Sequence, residues 1–196
     1  MRLFFKLQII VVVIIVSLTA CSTSKSIKKY TSTKHSFSLQ YLSGLNVYVQ
    51  ENGMTKNDSI TFSETSNRKI LNTDTYNYYF IDFFELKPDK YNNAEELSVM
   101  FMNADKKIYS DIVQKKEIIE IGGYKSVKVD QSNYKACPMN PDSMGCLDKK
   151  HGVEVAIYYL DYDDKIMRIK QVVSVDDRVE FNQLFNDMTN SLTFIN

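Results

Sequence analysis

Tryptophan is absent, and histidine occurs only at His35 and His151. Neither histidine lies in a Ser/His/Asp or metal-binding pattern. His35 adjoins a polar stretch and His151 follows Lys149-Lys150, so both are expected to be exposed, with no catalytic role. The chain also has no surplus of positive charge: 24 basic residues face 24 acidic ones. Without Arg2 and Lys6 the balance is 22 to 24, a net charge of about −2, and nothing points to nucleic-acid binding. Glycine is scarce, with six residues. Its one pair, Gly122-Gly123, lacks the context of a phosphate loop, so no nucleotide is assigned to it. No internal repeat, catalytic constellation or metal set is visible, and no cofactor is implied. The expectation is a protein that is not an enzyme.

Cysteine is also rare, with three residues in all. Cys137 and Cys146 flank a segment rich in turn-formers, Pro138-Met139-Asn140-Pro141-Asp142-Ser143-Met144-Gly145. Eight residues separate them, and no second Cys/His pair has zinc-site spacing. A Cys137–Cys146 disulfide is expected, and in an oxidising compartment it would stabilise by about 2–3 kcal/mol. Two free thiols are the alternative. The segment 134–152 is longer than a hairpin needs, and loops of that length are often functional. Met139, Met144 and Leu147, beside Lys149 and Lys150, offer both apolar contact and charge to a partner. The other reading is that the loop only covers a sheet edge.

The third cysteine ends a long hydrophobic run. Met1 to Lys6 carries two positive charges, Leu7 to Ala20 is almost unbroken apolar sequence, and Leu18-Thr19-Ala20-Cys21 follows. A basic start, a short apolar middle and small residues before a cut site are the features of a secretory signal. The run is shorter than the roughly 20 residues of a membrane-spanning helix. Its last four residues resemble the lipobox of bacterial lipoproteins. The resemblance implies a signal peptide over 1–20, diacylglycerol on the Cys21 thiol and cleavage before it. An uncleaved anchor is the competing reading, and either one tethers the domain to a membrane. Residues 21–35 are small, polar and basic at first, and read as a flexible tether.

Residues 36–196 read as one globular domain. Phe37 to Tyr41 alternates apolar and polar residues, as a half-buried strand does. Leu45–Val49 and Ile60–Phe62 continue in that style. Tyr76 to Leu86 is the most aromatic stretch and does not alternate, which predicts a central strand covered on both faces, ended by Pro88. Aromatic core is favoured there over a ligand groove. A helix follows, capped by Asn92 or Asn93 with Glu95 or Glu96 three residues on. Its stripe Leu97, Met100, Phe101 is expected to face the core. Gly122-Gly123 joins two strands in a tight hairpin, in which Val127 and Val129 alternate with Lys128 and Asp130. A second hairpin turns at Asp161-Tyr162-Asp163-Asp164. Turn chemistry is favoured there over calcium binding, because the glycine and distal glutamate of an EF-hand loop are missing. The last helix begins near Ser174–Asp177 and carries the stripe Phe181, Leu184, Phe185, Met188.

This order resembles the PsbP-like superfamily. Glu96-Leu97 in the first helix, Ile121-Gly122-Gly123-Tyr124 at the hairpin and Phe181 to Phe194 at the end carry the resemblance, over roughly residues 36–195. The chain departs from the group in having no tryptophan after the first strand and in its cysteine loop. The resemblance implies an α+β domain, an antiparallel sheet flanked by helices in an α/β/α sandwich, generally used for binding. The expected function is that of a lipid-anchored cell-envelope lipoprotein, a non-catalytic accessory module. Its expected partners are a membrane, through Cys21, and an envelope protein complex. The alternative is a carrier holding a small molecule or lipid between sheet and helices.

Overall fold

Two tight turns organise the larger sheet. Gly122 (φ 58°) and Gly123 (φ 86°) both take positive φ, as a two-residue hairpin turn requires. They join β6 (Val113–Ile121) to β7 (Tyr124–Tyr134) in register, Ile121 opposite Tyr124. The second hairpin joins β8 (Val153–Tyr162) to β9 (Lys165–Ser174). Its turn is shorter than the four residues expected: Tyr162 pairs with Lys165, and Asp163 takes φ 53°. The computed structural model describes residues 26–51, 58–64, 77–109, 111–134, 153–174 and 177–195.

Strands β1 (Ile27–Ser32), β2 (Phe37–Leu42), β3 (Asn46–Gln50), β4 (Ser59–Ser63) and β5 (Tyr78–Glu85) precede these hairpins, and the short β10 (Thr193–Phe194) follows them. Helix α1 is Ala94–Ile108 and α2 is Arg178–Asn190. Seven strands form one antiparallel sheet in the order β3-β4-β5-β9-β8-β7-β6. Strands β1, β2 and β10 form a second, three-stranded sheet.

The large sheet has a helix on each face, as the α+β sandwich expectation requires. Helix α1 packs on β7 and β8, and α2 packs on β9 and β2. Alternation along each strand divides the core in two. Tyr79, Ile81 and Phe83 of β5, with Met167, Ile169 and Val173 of β9, meet Phe181, Phe185 and Met188 of α2 and Phe37 and Leu39 of β2. Val127, Val129, Ile157, Tyr159 and Val172 meet Ala94 and Leu97 of α1 on the other side. Strand β5 is thus internal, with aromatic core on both faces, as its composition predicts.

Three further expectations need correcting. The tether expected over 21–35 runs into the structure, because Ile27–Ser32 is β1, paired with β2 from Ile27–Leu42 to Ser32–Phe37. Its exposed side chains gave no periodic signal, and the backbone ladder holds it instead. Met100 is 37% exposed. The buried stripe of α1 is Ala94, Leu97 and Ser98, with Phe101 half-buried, so the helix is turned away from Met100. His35 is buried rather than exposed, 9% accessible, because the turn after β1 folds its ring onto Phe83, centroids 3.7 Å apart and nearly parallel.

Candidate functional site

On the α2 side, β7 turns polar. Its odd residues Val127 and Val129 fill the core beneath α1, so Lys128 and Asp130 face the opposite way. Helix α2 covers β9, and among the described residues nothing covers the sheet beyond it. It borders the open floor with Arg178, Asn182 and Asn186, an i, i+4, i+8 row beside its apolar stripe. Val113 and Lys115 of β6, Glu154 and Tyr158 of β8 and Gln171 of β9 complete a cleft of about 360 Å³.

The charges of the cleft come in opposed pairs. Lys128 Nζ lies 2.9 Å from Asp130 and 3.3 Å from Glu117, and Lys115 lies 3.7 Å from Glu117. Arg178 Nε bonds Glu154 at 3.0 Å across the mouth. Burial alone would lower the Lys128 pKa, but the carboxylates of Asp130 and Glu117 outweigh it and hold the ammonium above its ordinary value. At the floor, Tyr158 is 5% exposed and its hydroxyl donates to Asn186 Oδ1 at 3.4 Å. Burial, only partly offset by Lys128, raises its pKa. Gln171 is held by its own bonds, Nε2 donating to Phe185 O at 3.0 Å and to Thr189 Oγ1 at 2.8 Å. The cleft therefore offers fixed amides, a phenol and exchangeable ion pairs on a rigid floor. Such a surface suits a polar peptide or protein segment better than an apolar ligand.

A second charged centre lies under α1. Arg168 forms a bidentate pair with Asp82 at 2.9 and 2.6 Å. Its guanidinium sits between the rings of Phe84 (4.8 Å) and Phe101 (4.6 Å). Lys170 lies two residues on and opposite Phe80. Burial, and after it Arg168, pushes its ammonium down to about 8. This centre ties α1 to β5 and β9.

His35 Nε2 lies 3.0 Å from Asp58 Oδ2, which also takes Lys34 Nζ at 2.7 Å. Burial lowers the imidazole pKa, and Asp58 opposes that only in part. The serine nearby, Ser32, uses its Oγ to accept from the His35 backbone N–H at 3.2 Å. The aspartates at 161–164 separate in role. Asp163 sits in the turn, and Asp161 accepts from Ala94 N at 2.6 Å, at the start of α1. Cys21, Cys137, Cys146, His151 and the loop residues Met139, Met144, Leu147, Lys149 and Lys150 lie outside the described residues. Sequence reasoning missed the cleft. Its available signals were the polar face of β7 and the polar row of α2, and only tertiary packing brings the two together.

The fold is similar to that of cyanobacterial PsbP (CyanoP) from Synechocystis sp. PCC 6803, with a TM-score of 0.55 and 12% identity over 89% of this chain and 95% of that one. The Ran-binding protein Mog1p of Saccharomyces cerevisiae gives 0.51 and 10%, over 88% and 97%. A protein of Bacteroides thetaiotaomicron gives 0.50 and 12%, over 86% of this chain and 48% of that one. At such identities the likeness is one of fold, and the fold is PsbP-like. No family model and no curated protein sequence matches the chain.

Proposed function

We propose that this PsbP-like domain is a non-catalytic docking module of the cell envelope, held at a membrane by lipid on Cys21 and engaging a protein partner through the cleft beside α2. The observation that carries this reading is the composition of the cleft. Its acids are paired with cations, and its amides lie on rigid elements, so a partner can exchange those pairs at low conformational cost. One structure of similar fold is that of a Ran-binding protein, so the architecture supports protein recognition elsewhere.

Paired Lys128→Ala and Arg178→Ala substitutions test the reading. Capture of partners from the native envelope should be lost, while the melting temperature stays within a few degrees, since half-exposed ion pairs contribute about 0–1 kcal/mol each. Unchanged capture by the folded variant overturns it. Mass spectrometry of the membrane fraction tests the anchor: Cys21 should carry lipid, and Cys21→Ser should abolish it.

A carrier role is the second reading. It draws on the cleft volume of about 360 Å³, which falls within the range of small-molecule sites. The charged lining selects a polar cargo over a lipid. A ligand co-purifying with the wild-type chain but not with the double variant would favour it.

A further inference from the structure

The large sheet ends in β3 on one side and β6 on the other. Strand β3 has five residues and β6 has nine. Among the described residues, β6 pairs only with β7. A long edge with unpaired backbone groups is a template for another strand. On this one Ile118 is 50% exposed and Val113 57%.

The hairpin fixes which backbone groups are unpaired. Ile121 and Tyr124 flank the two-residue turn, so they form its hydrogen-bonded pair. Residues in step with Ile121, such as Lys115, Glu117 and Ile119, aim N–H and C=O at β7. Gln114, Lys116, Ile118 and Glu120 aim theirs outward. Lys116 also marks the face these four share, because its Nζ reaches Glu95 of α1 at 2.9 Å.

A second β6 strand, antiparallel about a two-fold axis, must place outward residues opposite outward residues. The axis must then pass through a residue pair. Centred on Lys116 it sets lysine against lysine, and centred on Glu117 or Glu120 it sets glutamate against glutamate. Centred on Ile119 it puts Ile118 against Glu120 and leaves Lys116 opposite Gly122. Centred on Ile118 it brings the two exposed Ile118 side chains together and sets Lys116 opposite Glu120 of the second copy, twice. The Ile118 N–H of each copy then donates to the Ile118 C=O of the other.

We propose that the β6 edge is a homodimerisation surface, pairing with β6 of a second copy of this chain about a two-fold axis at Ile118. The pairing joins two seven-stranded sheets into one. It buries the Ile118 side chain that the monomer leaves half-exposed, and it sets Glu120 of each copy beside the Lys116–Glu95 pair of the other.

Sedimentation velocity on the full chain, in detergent, over a concentration series up to about 0.5 mM tests this, since an interface made by one pair of nine-residue strands is small and falls in the weak class. The wild type should show a reversible dimer. Lys116→Glu and Glu120→Lys each set like charges face to face twice, and should raise the dissociation constant about tenfold or more. The double variant K116E/E120K restores opposite pairing and should return to within about threefold of the wild type. Ile118→Pro removes an outward N–H that β7 does not use, and should give a monomer with a nearly unchanged melting temperature. A wild type that stays monomeric, single variants that dimerise normally, or a double variant as weak as the single ones would each overturn the proposal.

Discussion

A methyl group on Gly122 would crowd the ring of Phe194. The backbone there holds φ 58°, and an added Cβ would lie 2.7 Å from Cε2 of Phe194. Its neighbour Gly123 holds φ 86° but faces open space. Gly122→Ala should therefore cost about 2–4 kcal/mol and Gly123→Ala about 1 kcal/mol, read from urea unfolding. The need for glycine at both positions was legible in the sequence, but the contact that makes them unequal was not, because Phe194 arrives from the far end of the chain. Lys170 supports a second prediction. Its folded pKa of about 8 lies below the ordinary 10.5. Between those values the unfolded chain binds more protons, so stability rises with pH there, and below about pH 8 the whole penalty is present. Lys170→Met should flatten that rise and be more stable than the wild type at pH 7. Urea midpoints at pH 7 and about pH 10 check both points.

The start of α1 shows how far local sequence reaches. Asn93 caps the helix by accepting from Glu96 N at 2.9 Å, and Glu96 reaches back to Asn92 N at 2.7 Å. Both partners lie within four residues, so the cap could be read in advance. The third group, Asp161, accepts from Ala94 N across 67 residues, and in sequence it reads as part of a turn. Asn93→Ala should lower stability by about 1 kcal/mol and Asp161→Ala by about 1–2 kcal/mol, measured by denaturant unfolding. The same division runs through the other elements. Both hairpins carry their turn signals between their own strands, and α2 carries its apolar stripe in full. Strands β1 and β10 have no such signal, because their ladders are made with β2 alone. His35 and the cleft were illegible for a related reason: burial by a distant strand leaves no periodic trace.

At the scale of the molecule, the three-stranded sheet closes one face of the larger core. Tyr30 of β1 sets its ring edge-on to Phe62, centroids 5.6 Å apart, above Phe37 and Tyr41 of β2. Tyr30→Ala should lower the melting temperature by about 3–8 °C, given a loss of about 1–2 kcal/mol, with the fold retained by circular dichroism. Strand β2 itself sits between β1 and β10, and Thr193 pairs with Ser38. With the Phe194–Phe37 rung beside it, this pairing ties together segments more than 150 residues apart in sequence. Without Thr193 and Phe194 in place, Phe37 and Leu39 lack their full cover, and Gly122 lacks the ring that packs on it. Contacts of such sequence separation form slowly. The small sheet is therefore expected to close late in refolding, after the two local hairpins of the large sheet have formed.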